Sequence, residues 1–429
     1  MNKQNFPLFT VIIPLKDREE YIGHTLKTCM IQDYPNFEII VSDDCSSDNT
    51  VKVATELAEK DKRIQVYSHK KHLGMHDNFE FALNKVKPGY VIALGGDDGL
   101  VQGCIWRMYE IIKETGTKLL TWTPATFIYP TNNDNRNMFY MKRKRFEGVK
   151  ILKSSDFLSK LYKTFFYMTD DCPMFYMKGV ASTDLIDRVK SRTKDNSFYY
   201  CPTPDGFSGV VLAGEVEDYA FTYEPLTIVG ASPKSQGNYY ISTDKKSREE
   251  SELFFNDNVR RTMHKELASQ PYSPLITLMT ADYLLTANDL PGWPGKGPEI
   301  DFKELLKKTF SYLHTSNFPP AVLSRELKIL KEISIQHNLL DLFEELYSKT
   351  LKKSITGEHV FGFLITNSIR FNGADVGVLN VFDASVVTNF IYKFYNRVTF
   401  ANFVTFVKNQ FKVLLRQRKY KLEKLPSIE

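Results

Sequence analysis

Cysteine is scarce in this chain: Cys29, Cys45, Cys104, Cys172 and Cys201 are the only five in 429 residues, odd in number and without a C-x-x-C pair. That usage argues against a disulfide framework and a structural zinc site, and it makes a reducing cytoplasm the expected setting. No window of about 18 uncharged apolar residues occurs, so no membrane span is expected. The opening MNKQNFPLFTVIIPLKDREE has too short an apolar stretch, and no small-residue cleavage site, for a secretory signal. Charge of one sign does not dominate: the formal net charge is +5, too mild to call for a nucleic-acid partner. Internal repeats and low-complexity tracts are also missing. What remains is an ordinary globular composition, 42% hydrophobic and 25% charged, long enough for two or three domains.

The first third alternates apolar, β-branched runs with helix-period stretches. FTVIIP (9–14), FEIIVSDD (37–44), IQVYSH (64–69) and YVIALGG (90–96) read as strands, with helices over roughly 19–31, 50–60 and 76–86. This alternation predicts an α/β fold with a mainly parallel sheet and a ligand site beyond the carboxyl ends of the strands. Further on, a helix is expected within QGCIWRMYEIIKETG, a strand in KLLTWTPATFIYP, and a basic loop around MKRKRF (141–146). Helices near 154–166 and 183–192 and an extended run YAFTYEPLTIVG complete a first domain, residues 1–240. From residue 245 to 429 the pattern turns helical, with LPGWPGKGPE as its clearest break.

Each polar cluster of the first domain falls at a strand end. Asp17 and Arg18 follow the first strand, Asp43 and Asp44 close the second, and Asp97 and Asp98 close the fourth in VIALGGDDGL. Adjacent carboxylates repel unless a cation or donor groups share their charge. Hard oxygens of this kind suit Mg²⁺ or Mn²⁺ bridging a diphosphate, and two glycines let backbone and ligand approach closely. An Asp-Asp-Gly turn after a strand is the competing reading. Ser46, Ser47 and Asp48 serve equally as caps of the following helix. His72 and His76, four apart, invite a zinc reading, but no third ligand lies at usable spacing.

The stretch VIIPLKDREEYIGHTLKTCMIQDYPNFEIIVSDDCSSDNT resembles the opening of glycosyltransferase family 2, the inverting enzymes with the GT-A fold. Over residues 8–240 the family's elements recur in order: the strand ending in Pro14, the DYPNFEIIVSDDCSSDNT block, HLGMHDNFEFAL, GGDD, and TPDGFSG followed by PLTIVGASPKSQG. The resemblance implies a nucleotide-sugar donor, UDP-linked, held by Pro14, Asp17, Arg18, Asp43, Asp44, Asn78 and Asp97. It implies Mn²⁺ or Mg²⁺ on Asp97 and Asp98, although Gly95 stands where the family's D-x-D motif carries its first acid. It points to Asp205 as the base that deprotonates an acceptor hydroxyl, with Asp218 as the rival. An Asp205 that only complements the dipole of its helix is the plainer alternative. Ser232, Lys234 and Ser235 match a segment that closes over the diphosphate or acceptor.

The last residues hold the charge excess. From Ile391 onward nine basic residues oppose Glu423 and Glu429, interleaved with aromatic and aliphatic side chains. A tail over 391–424 of this composition suits an anionic membrane surface, a wet helix face, or a protein partner. The expectation is a metal-dependent inverting glycosyltransferase, cytoplasmic or peripheral at the inner membrane face, acting on a glycan or lipid-linked acceptor and possible as an oligomer. A nucleotidyltransferase and a catalytically silent glycan-binding scaffold are the alternatives.

Overall fold

The computed structural model describes residues 6–130, 137–142, 148–200, 204–234, 249, 262–315, 320–352 and 368–395. Strands β1 (Phe9–Leu15), β2 (Phe37–Asp43), β3 (Ile64–Ser68) and β4 (Tyr90–Ala93) form the expected parallel block, in the order β3-β2-β1-β4. Helices α1 (Ile22–Met30), α2 (Thr50–Lys60) and α3 (Met75–Leu83) make its crossovers. Strand β4 stops at Ala93, three residues before the expected end, because the chain turns at Gly95 and Gly96. Pro14 sits in a central strand at no cost to the ladder. Leu15 O bonds to Asp44 N on one side while Ile12 O bonds to Leu94 N on the other, so Pro14 faces β4. The β1–β4 pairing ends at Ile12–Ala93, and the missing N–H has no partner to lose.

The chain continues through β5 (Gly99–Leu100), α4 (Cys104–Thr115), β6 (Leu119–Trp122), β7 (Ala125–Ile128), β8 (Met138–Lys142), β9 (Val149–Lys153), α5 (Ser154–Thr164), β10 (Gly179–Ser182), α6 (Thr183–Lys190), α7 (Pro204–Gly214), β11 (Asp218–Thr222) and β12 (Thr227–Ala231). Both runs read as single strands divide. KLLTWTPATFIYP becomes β6 and β7, and YAFTYEPLTIVG becomes β11 and β12. The break falls at Pro124 and Pro225, where the missing N–H and fixed φ end one ladder and start another. The first halves pair in an eight-stranded sheet, and the second halves pair in a five-stranded one. Met141 and Lys142, expected in a loop, finish β8, and residues 143–147 lie outside the described residues.

Residue alternation along the parallel strands divides the interior into two cores. Ile12, Ile40, Val91 and Ala93 face one, which runs on into the helical region; Val11, Ile13, Ile39, Val41 and Ile92 face the other, shared with α1, α4 and the small sheet. The helical region comprises α8 (Ile276–Asn288), α9 (Phe302–Thr315), α10 (Pro320–Gln336) and α11 (Leu340–Lys352). The division expected near residue 240 is then crossed back. Strand β13 (Ser368–Asn372) pairs antiparallel with β8, and α12 (Val381–Tyr395) packs on α1, β5 and β12. Residues 396–424 of the basic tail lie outside the described residues. Among the described residues no helix is long and apolar enough to cross a membrane.

Helix α7 joins the two halves. Trp293 covers Gly214, where a Cβ would come within 2.3 Å of the indole, and its Nε1 donates to Val211 O at 3.1 Å. Trp293→Ala is therefore expected to lower stability by about 3 kcal/mol or more, the usual cost of deleting a large buried ring. A denaturant midpoint within about 0.5 kcal/mol of wild type would contradict this role for Trp293.

Candidate active site

The two carboxylates that end VIALGGDD have different jobs. Asp98 is 1% exposed, and both its oxygens are taken: Oδ2 accepts from Gly95 N at 2.7 Å and Oδ1 from Gly230 N at 2.8 Å. It thereby ties the end of β4 in the large sheet to β12 in the small one. The close approach requires glycine, since a Cβ on Gly230 would lie 1.7 Å from Asp97 O. Asp97 Oδ2 accepts from Ser232 Oγ at 2.5 Å, and Oδ1 accepts no hydrogen bond among the described residues. Burial first, and the Asp97 charge second, push the Asp98 carboxyl up to about 7 against the pull of its N–H donors and Arg18.

Gly95 is explained by Tyr176. A Cβ at Gly95 would meet Tyr176 Oη at 2.6 Å, Asp98 Oδ2 at 2.9 Å and Asp97 Oδ1 at 3.1 Å. The space where the family's motif carries its first acid is thus filled by a phenol. Tyr176 reaches it because residues 175–177 run beside the end of β4, with Met177 N donating to Ala93 O at 2.8 Å. Its hydroxyl is held well above its usual range by burial and then by the charges of Asp98, Asp97 and Asp205, so it stays protonated.

Asp205 joins this group from the first turn of α7. Ser208 Oγ donates to Asp205 O at 2.6 Å and accepts from Phe175 N at 3.0 Å, stitching that turn to the segment carrying Tyr176. Asp218 does not join it. Strands β4, β6 and β11 run in the same direction, so Asp218 at the start of β11 lies at the opposite edge of the sheet from Asp97. There it forms an exposed ion pair with Lys153, 3.4 Å away, apart from the other acids of the site.

The other rim residues mostly face inward. Asp43 is 1% exposed and accepts from Ser46 N at 3.1 Å and from the Ser46 hydroxyl. Asp44 accepts from Leu73 N at 2.6 Å and Gly74 N at 3.0 Å and pairs with His72 at 2.8 Å. Asn78 bridges Ser42 O at 3.0 Å and Ser42 Oγ at 2.6 Å in the interior. His76 bonds to Tyr199 O and pairs with Asp77, so the two histidines serve separate loops. Asp17 and Cys45 adopt left-handed φ of 52° and 60°, and Asp17 Oδ1 accepts from Ser47 N at 2.8 Å. Two cations cross-link this loop to the segment after β12: Lys234 Nζ donates to Asp17 O at 2.9 Å, and the Arg18 guanidinium to Lys234 O at 3.2 Å. Ser235 lies outside the described residues. A cleft of about 380 Å³ opens between Tyr21, His24, Tyr129, Pro233 and Leu379.

A parallel sheet with carboxylates and two cations at its carboxyl edge defines an α/β fold with a ligand site at that edge. Residues 10–177 match the family model Glycosyl transferase family 2. An uncharacterized glycosyltransferase of Haemophilus influenzae is 22% identical over 36% of this chain and 60% of its own length. The Campylobacter jejuni GalNAc(5)-diNAcBac-PP-undecaprenol beta-1,3-glucosyltransferase is 33% identical over 25% of this chain and 35% of its own. The chain thus spans less than two thirds of each of these relatives. Among solved structures, S. aureus TarS 1-349 in complex with UDP-GlcNAc aligns over 83% of this chain and 95% of that one, at 13% identity and a TM-score of 0.45.

Sequence reasoning missed Tyr176 and Gly230; the paired glycines of GGDD, which demand a close neighbour, were the available signal for the first. The Asp98 shift has a testable sign. With its folded carboxyl raised above the unfolded 3.8, the folded state keeps a proton that the unfolded state has lost, so stability falls as pH rises toward about 7. Asp97→Asn removes the neighbouring charge, and its melting temperature relative to wild type is expected to rise between pH 5 and pH 8. A constant difference across that range would contradict the coupling.

Proposed function

We propose that the chain is an inverting glycosyltransferase that moves a sugar from a nucleoside diphosphate, UDP first among the candidates, to a saccharide or lipid-linked acceptor. One observation carries the reading: Asp97 and Asp205, whose charges both act on the buried Tyr176 phenol, each keep a carboxylate oxygen with no hydrogen-bond partner among the described residues. The match to the family model over residues 10–177 supports the reaction class, and the name of the Campylobacter relative supports a lipid-linked glycan among the acceptors.

In this mechanism Asp205 takes the proton of the acceptor hydroxyl as that oxygen attacks the anomeric carbon and the bond to the diphosphate breaks. Arg18 and Lys234 stand at the rim to meet the phosphates, and Asp43, Asp44 and Asn78 hold the loops that shape the nucleotide pocket. The residues fit a divalent cation, Mn²⁺ or Mg²⁺. Asp97 Oδ1 is a hard oxygen with no hydrogen bond among the described residues, and Asp98 lies beside it. Further ligands of such an ion would come from diphosphate and water. Such an ion, when bound, offsets the charge of the departing diphosphate.

A thermal-shift screen of UDP-sugars with and without Mn²⁺ tests the reading. Wild type is expected to gain several degrees with donor and metal together, corresponding to about 2.7 kcal/mol at a hundredfold excess over Kd. Asp97→Ala is expected to lose the metal-dependent part. Asp205→Asn is expected to keep the shift while turnover falls about a hundredfold or more. An unchanged manganese-dependent shift in Asp97→Ala would remove the metal assignment. Donor binding with no turnover in wild type would favour the silent scaffold instead.

A further inference from the structure

The two oxygens of Asp205 are treated unequally. Oδ2 accepts a hydrogen bond from Tyr167 Oη at 3.3 Å, whereas Oδ1 is buried and has no partner among the described residues. A buried carboxylate oxygen left unpaired costs free energy, so its persistence calls for an explanation. The helix dipole does not supply one, because it acts on both oxygens alike.

Tyr167 is itself fixed from the helical region. Its backbone N donates to Thr280 Oγ1 of α8 at 3.3 Å, and its ring meets that of Tyr283, also on α8, edge-on at 5.4 Å between centroids. Gly206, next to Asp205, admits both rings: a Cβ there would lie 2.3 Å from Tyr283 Cε2 and 2.8 Å from Tyr167 Cε2. Fully buried, the Tyr167 phenol is raised well above its usual range and remains a donor.

We propose that Tyr167, held by α8, is a positioning residue for Asp205: it occupies Oδ2 and leaves Oδ1 directed at the acceptor hydroxyl. The proposal rests on the reading of Asp205 as the base. It also gives the helical region a part in the reaction, since Thr280 and Tyr283 fix the tyrosine that orients the carboxylate. A group displaced by a fraction of an ångström loses rate without losing donor affinity. Tyr167→Phe keeps the ring contacts and removes only the hydroxyl, so the fold is expected to survive.

The test is a double-mutant cycle on the full chain with Tyr167→Phe, Asp205→Asn and the pair. UDP release is read with UDP-glucose, UDP-N-acetylglucosamine and UDP-galactose in Mn²⁺, alongside thermal melting. Tyr167→Phe is expected to lower kcat about tenfold with donor KM unchanged, and to cost nothing further in the Asp205→Asn background. In melting, the shifts of the two single variants are expected not to add. Additive melting shifts, or a Tyr167→Phe enzyme with wild-type kcat, would overturn the proposal. Wild-type turnover in Asp205→Asn would instead overturn the base reading, while the melting cycle still reports whether the two side chains are linked. Thr280→Val, which withdraws the acceptor from Tyr167 N, is expected to lower kcat in the same direction by a smaller factor.

Discussion

The carboxylate of Asp98 is the constraint on which the rest of the site depends. An ionisable group with 1% exposure is expensive to bury, and here the cost is offset by two backbone N–H donors, one for each oxygen. Those donors belong to different sheets. Without Asp98 the turn after β4 and the middle of β12 would each bury an unsatisfied N–H. With it, Ser232 is carried to Asp97, and the segment after β12 is delivered to Asp17 and Arg18.

A division of labour among the acids follows. Asp43, Asp44 and Asp98 look inward, each accepting from backbone N–H: Asp43 from its own loop, Asp44 from the loop at Leu73 and Gly74, and Asp98 from its own turn and from β12. Asp97 and Asp205 keep an oxygen in reserve. The distinction is physical: an acid whose lone pairs are consumed by the backbone shapes a pocket, and one with a vacant oxygen can meet a ligand. On this view the repulsion built into GGDD is tolerable because only one member of the pair has to keep an oxygen for a ligand. The other is stabilised by donors and by its tendency to hold a proton as burial raises it toward about 7.

Much of this was legible in the chain itself. The alternation of VIIP, EIIVSDD and VIALGG fixed a parallel sheet and put the acids at one edge, because side-chain period and crossover handedness leave few other arrangements. The assignment of Asp97 and Asp98 to separate roles was not legible, since it depends on Gly230, more than 130 positions away. Tyr167 and Tyr176 lie in FFYMTDDCPMFYMKG, where aromatic residues look like core and for the most part are. Asn78 was singled out by its family pattern, yet it turns inward to Ser42. Strand β13 gave no local sign that it would pair with β8 across more than two hundred residues. Such pairings are set by long-range packing, to which a local window is blind.

The helical region packs against α7, the helix that carries Asp205. Along α7, Gly206, Gly209 and Gly214 admit in turn Tyr283 with Tyr167, Cys172, and Trp293. A helix interior rarely favours three glycines, because each gives up conformational entropy and side-chain contacts. Here each one lets a neighbour, two of them from the helical region, press against the element that carries Asp205. A carboxylate on a helix clamped from behind has less freedom to move than one on a surface loop, and the proposed role of Asp205 as a base would reward that rigidity. The glycines of α7 therefore make the same kind of exchange as Gly95 and Gly230: local stability is surrendered so that a carboxylate can be held where the surrounding backbone and rings require it.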